Sequence, residues 1–83
     1  MKNVRKLAKE LLAECYEKGY PAIVGISDKD TGESIGTGNG QVGDILLVMA
    51  TLFIRLEKQS GNDATEMAKS VAKTVKQLKK EGY

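Results

Sequence analysis

The chain of 83 residues contains no histidine, no tryptophan, one cysteine and one proline. Without histidine there is no imidazole to bind zinc and none to act as the base of a catalytic triad. Cys15 cannot form a disulfide within the chain, and its position among apolar helical residues is typical of a small buried hydrophobe. We therefore expect no metal site, no cofactor and no catalysis.

The chain also lacks a large excess of basic or of acidic residues. The 13 basic and 11 acidic residues leave a net charge of +2, which is too small to indicate nucleic-acid binding by itself. The longest apolar run, residues 45–56, is shorter than the roughly 20 residues that cross a bilayer. Residues 1–6 lead into an amphipathic pattern rather than an apolar signal core. We expect a cytoplasmic protein without membrane association.

Hydrophobic periodicity and turn residues predict the fold. Apolar residues at spacings of three and four favour a helix at each end of the chain, and a β-branched run bounded by Pro21 and Asp28 favours a strand. The predicted elements are a helix over 3–18, strands over 22–27 and 33–37, and helices from about Asp44 and Asp63. Asn3 and Asp63 are the expected N-caps of the first and last helices, and Gly19 is the expected residue that ends the first helix. Gly32 is expected to take a positive φ in the turn between the strands. The sequence therefore predicts a single α+β domain, 1–83, in the order α-β-β-α-α.

The run from Ile45 to Leu56 has no polar face until its far end. A helix on the surface of a small monomer has one apolar stripe and one solvated face, and a chain of this size has a marginal core. We therefore expect a homo-oligomer in which a second copy covers part of this helix. The predicted interface residues are Leu46, Val48, Met49, Leu52 and Phe53.

Four glycines fall within residues 36–43, the predicted connection between the second strand and the central helix. The pattern matches G-x-G-x-x-G formally, but a second helix follows where the dinucleotide fold needs a parallel strand. Backbone N–H groups at a helix N-terminus can still hold an anion, and the candidate ligands are Thr37, Gly38, Asn39 and Gly40. Alternatively, the glycines make a tight turn and let two backbones approach closely.

Two groups of basic residues have helical spacing. Lys69, Lys73, Lys76 and Lys80 form one stripe on the last helix. Lys2, Arg5, Lys6 and Lys9 form another on the first helix. Such stripes can follow phosphates, although no aromatic residue lies between the lysines to stack on bases, and solvated helix faces have the same pattern.

The segment from Val24 to Leu56 carries Gly25-Ile26-Ser27-Asp28-Lys29-Asp30-Thr31-Gly32, then Gly38-Asn39-Gly40, then Gly43-Asp44-Ile45 at the start of an apolar helix. In this it resembles small uncharacterised proteins of phages and prophages of Gram-positive bacteria. The resemblance implies an accessory factor that binds a host protein or a small signalling nucleotide. It implies no catalytic residue.

Together these features predict a small non-enzymatic, homo-oligomeric binding protein. Its ligand, a host protein or a nucleotide-like anion, would bind at the glycine-rich segment 36–43. The alternative is a nucleic-acid-binding protein that uses the lysine stripes of the first and last helices. A third possibility is a structural subunit that contacts only other proteins.

Overall fold

The computed structural model describes all 83 residues. Its elements are α1 (Lys2–Glu17), β1 (Ala22–Ser27), β2 (Ser34–Asn39), α2 (Val42–Ser60) and α3 (Ala64–Lys80). This order confirms the predicted α-β-β-α-α arrangement of an α+β fold. None of the three helices combines the length and the apolar character that crossing a bilayer requires. The chain divides into a first unit, Met1–Val48, and a second unit, Met49–Tyr83, which are described separately below.

In the first unit, β1 and β2 form an antiparallel hairpin whose register runs from Ala22 opposite Asn39 to Ser27 opposite Ser34. The turn between them is organised by Asp28, whose Oδ1 accepts a hydrogen bond of 2.9 Å from the Asp30 N–H. Gly32 has a φ of 74° and donates its N–H to the Asp28 carbonyl at 2.9 Å. The predicted turn, including the left-handed glycine, is confirmed.

Helix α1 packs against one face of this hairpin. In β1 the side chains alternate between half-buried and exposed, as expected for a strand covered on one side. The covered side chains are Ala22, Val24 and Ile26. Ala8 of α1, with 6% of its surface exposed, is the only fully buried residue of the chain. The core of the first unit is therefore one thin layer between α1 and the sheet.

The end of α1 follows the predicted pattern. Gly19 has a φ of 71°, its N–H donates to the Tyr16 carbonyl, and the Tyr20 N–H donates to the Cys15 carbonyl at 2.8 Å. These two bonds form a Schellman motif, which closes the helix. At the other end the N-cap is Met1, without a side-chain hydrogen bond, rather than the predicted Asn3.

The glycine-rich segment 36–43 differs from its predicted form, a connection. Strand β2 continues to Asn39 and α2 starts at Val42, so only Gly40 and Gln41 lie between the two elements. The strand is longer because residues 37–39 pair with residues 22–24 of β1. Cross-strand pairing compensates the low strand propensity of Gly38 and Asn39, which a local reading of the sequence does not include.

The second unit contains the end of α2 and the whole of α3. Asp63 is the N-cap of α3, as predicted, and its Oδ1 accepts a hydrogen bond of 3.0 Å from the Glu66 N–H. Glu57 of α2 accepts a second bond of 2.9 Å from the Ala64 N–H. These two carboxylates satisfy N–H groups in the first turn of α3, which have no partner within the helix.

Candidate functional site

An open groove of about 550 Å³ lies in the first unit between α1 and β2. Helix α1 contributes basic and apolar side chains to it, and β2 contributes backbone and hydroxyl groups. The lining includes Arg5, Lys9, Leu12, Ser34, Gly36 and Thr37. Cationic, hydroxyl and apolar groups thus line one groove, a combination suited to binding a polar, negatively charged ligand.

Two polar contacts fix α1 beside β2. Arg5 forms an ion pair with Glu33, which directly precedes β2. Asn39, the last residue of β2, donates its Nδ2 hydrogen to the Leu12 carbonyl at 3.1 Å. Arg5 of α1 contacts the residue before β2, and Leu12 of α1 contacts the last residue of β2. Helix α1 therefore runs along β2 in the same direction. Lys9 lies between these two contacts.

The electrostatic character of the groove is positive. Its lining contains two basic residues, Arg5 and Lys9, and no acidic one. Glu33 neutralises Arg5 in part, whereas Lys9 is exposed and forms no ion pair. Lys9 therefore supplies an ammonium group with all three donors available to a ligand.

The outer edge of β2 has no partner strand, because the sheet has only two strands. The Asp28 N–H donates to the Glu33 carbonyl at 2.8 Å, which identifies this as a hydrogen-bonded pair. Bonded and non-bonded pairs alternate in an antiparallel ladder. Residues 35, 37 and 39 therefore direct their backbone groups toward β1, while Ser34, Gly36 and Gly38 direct theirs outward. These three residues are exposed.

Comparison of the chain with protein-family models, with curated proteins and with solved structures finds no match.

The predicted ligand residues have different environments in the structure. Thr37 lines the groove, and the side-chain amide of Asn39 is engaged by the Leu12 carbonyl. A Cβ on Gly38 would lie 2.6 Å from the Ala22 carbonyl oxygen. At this distance no side chain fits at position 38, as expected if the glycine is there to let the two strands approach closely. Of the predicted ligand residues, Thr37 alone lines the groove.

Gly40 also belongs to a close approach of two backbone segments. Its φ is 122°, and a Cβ there would lie 3.1 Å from the Cβ of Pro21. Gly40 thus lets the chain turn from β2 into α2 directly beside Pro21. Neither Gly38 nor Gly40 has room for a side chain, and any ligand contact from them would come from the backbone.

None of the five predicted interface residues of α2 is buried. Leu46 is 57% exposed and Leu52 48% exposed, while Val48, Met49 and Phe53 are half-buried. Leu46 and three further exposed apolar residues form what we call the exposed stripe of α2, namely Leu46, Leu47, Ala50 and Ile54. Spacings of three and four relative to Leu46 and Leu47 could have identified this stripe from the sequence.

The four lysines of the alternative nucleic-acid site are all exposed on α3. Lys69 forms an ion pair with Glu66 at 3.3 Å, and the other three form none. Arg5 and Lys9 were predicted only as part of a basic stripe on the first helix. The position of β2 beside them could not be predicted, because no local pattern shows which strand a helix contacts.

Proposed function

We propose that this chain is a small non-enzymatic binding protein that assembles as a homo-oligomer through α2. The observation that carries the proposal is the exposure of apolar side chains along α2, with Leu46, Leu47 and Ile54 each at least half exposed. As an accessory factor of the phage type, the protein would bind a host protein or a nucleotide-like anion. The α1–β2 groove, which includes Thr37, is the binding surface that the geometry favours.

The size of the second unit supports assembly. Its 35 residues contain no buried residue, no cysteine and no histidine. Units below about 40 residues need disulfides, a metal or oligomerisation to be stable. This unit has no cysteine for a disulfide and neither cysteine nor histidine for a structural zinc ion, and contact with another copy of the chain is the stabilisation that we propose.

Light scattering of the full chain tests the assembly. We expect an oligomer at micromolar concentration, and the variant Leu46→Gln/Ile54→Gln to be a monomer, because both changes place polar groups on the exposed stripe. Glutamine keeps a high helix propensity, and the helix signal in circular dichroism is the check on folding.

The matched control is Lys73→Gln/Lys76→Gln, which changes two exposed residues of α3 that lie outside the stripe and leaves the mass of the assembly unchanged. A wild-type chain that stays monomeric when concentrated contradicts the proposal.

The second candidate function is nucleic-acid binding through α3. It is favoured by one observation, namely that Lys73, Lys76 and Lys80 are exposed and form no ion pair. This function requires affinity for DNA or RNA that falls steeply with salt and is lost in Lys73→Glu/Lys76→Glu. Filter binding at low salt is the measurement, and no retained nucleic acid excludes this function.

A further inference from the structure

We propose that the α1–β2 groove binds an extended acidic peptide segment of a partner protein, which adds as a third strand to the outer edge of β2. This inference rests on the proposed binding function and names the chemistry of the partner. It depends on two observations, the open backbone edge of β2 and the basic side chains beside it.

The edge of β2 lacks the features that protect edge strands from pairing. Proteins protect such edges with charged side chains, proline, bulges or a covering element. Residues 34–39, Ser-Ile-Gly-Thr-Gly-Asn, contain neither a charge nor a proline, and their register with β1 has no bulge. Gly36 is open to solvent, with no atom within 4 Å of a Cβ built on it. The outward backbone groups of Ser34, Gly36 and Gly38 are therefore available to an added strand.

The side chains around this edge favour acidic residues in the added strand. Side chains of a strand alternate between the two faces of a sheet, so every second residue of the peptide would lie on the α1 side. There it meets Lys9, which forms no ion pair, and Arg5. On the opposite face Gly25 lies across from Gly36 and leaves open space for the remaining side chains. Alternating acidic residues therefore match this surface.

Charge also favours a peptide over a second copy of this chain at the same edge. Two copies of β2 paired edge to edge would bring the Arg5 and Lys9 of one chain close to those of the other. Like charges facing each other across an interface oppose association. An acidic segment instead gains charge-assisted hydrogen bonds to the same side chains.

Amide hydrogen exchange of the full chain, measured by NMR with an added peptide, tests the proposal. The peptide is an acetylated octamer of alternating threonine and glutamate. We expect it to slow exchange at the amides of Gly36 and Gly38 by at least about tenfold, because these N–H groups become hydrogen-bonded. The Thr37 amide is the internal control, since it already faces β1 and keeps its protection.

Two matched peptides separate charge from backbone pairing. The alternating threonine–lysine octamer has the same strand propensity with the opposite charge, and we expect no binding. The acidic octamer N-methylated on every second residue keeps its charge and loses the donors of one edge. We expect its affinity to fall at least about tenfold.

A pair of protein variants tests the role of Lys9. We expect Lys9→Glu to weaken binding of the acidic octamer about tenfold or more, because a charge-assisted contact becomes a repulsion. Lys6→Glu changes the same residue type on the same helix outside the groove lining, and we expect a smaller effect. The helix signal in circular dichroism is the check that both variants fold.

Any of the following results would contradict the addition of the peptide as a third strand. If the N-methylated and unmodified acidic octamers bind equally, or if Gly36 stays unprotected, the groove holds anions without backbone pairing. If the amides of Gly36 and Gly38 are protected from exchange in the concentrated protein without any peptide, a second copy of the chain occupies this edge. Exchange slowed by adenosine diphosphate but by no peptide makes the groove an anion site. None of these results affects the assembly through α2, which light scattering tests separately.

Discussion

The contacts inside the first unit and those inside the second unit join residues at different separations along the chain. In the first unit, Arg5 pairs with Glu33 and Asn39 bonds to Leu12, so residues 27 or 28 positions apart are joined. In the second unit the side-chain hydrogen bonds join residues within seven positions, as between Glu57 and Ala64. The difference teaches that the candidate site depends on long-range contacts, whereas the second unit is organised by local ones.

The largest loss of stability is expected from a substitution that disturbs the long-range packing of the first unit. In Gly38→Ala the new Cβ would lie 2.6 Å from the Ala22 carbonyl oxygen, so the two strands must move apart. We expect the free energy of unfolding to fall by about 2 kcal/mol, which lowers Tm by roughly 10 °C. Thermal unfolding at fixed protein concentration is the measurement.

Gly36→Ala is the matched control, because it changes the same residue type in the same strand. A Cβ there meets no atom within 4 Å, and the φ of Gly36 is not positive. We expect Tm to stay equal or to rise slightly, since alanine restricts the unfolded chain. Equal losses of stability in both variants mean that strand propensity, not the close approach, determines the effect.

The comparison also shows what could be predicted from the sequence. Asp63, Gly19 and Gly32 act within a few residues of their own position, and each was predicted correctly. The end of β2 and the position of Asn39 against Leu12 depend on pairing with distant residues, which no local pattern contains. The groove was missed for the same reason, although three of its residues, Arg5, Lys9 and Thr37, had been identified separately.

A smaller loss of stability is expected when the hydrogen bond that fixes the end of β2 to α1 is removed. Asn39→Ala removes the donor to the Leu12 carbonyl and leaves this half-buried carbonyl without its side-chain partner. We expect a loss of about 1.5 kcal/mol in the free energy of unfolding, measured by urea denaturation. The control is Asn62→Ala, at an exposed position. A stable Asn39→Ala variant with weakened anion binding instead supports the predicted ligand role of Asn39.

The smallest loss of stability is expected when the N-cap hydrogen bond at the start of α3 is removed. Asp63→Ala removes the oxygen that accepts the Glu66 N–H, and we expect a loss of about 1 kcal/mol. Asp63→Asn keeps an acceptor of similar geometry, so most of the stability is retained. Because the bond spans three residues, the loss is expected at the amides of α3, as measured by hydrogen exchange. If Asp63→Ala costs more than Asn39→Ala, local contacts outweigh long-range ones in this chain, and the contrast between the two units is reversed in energy.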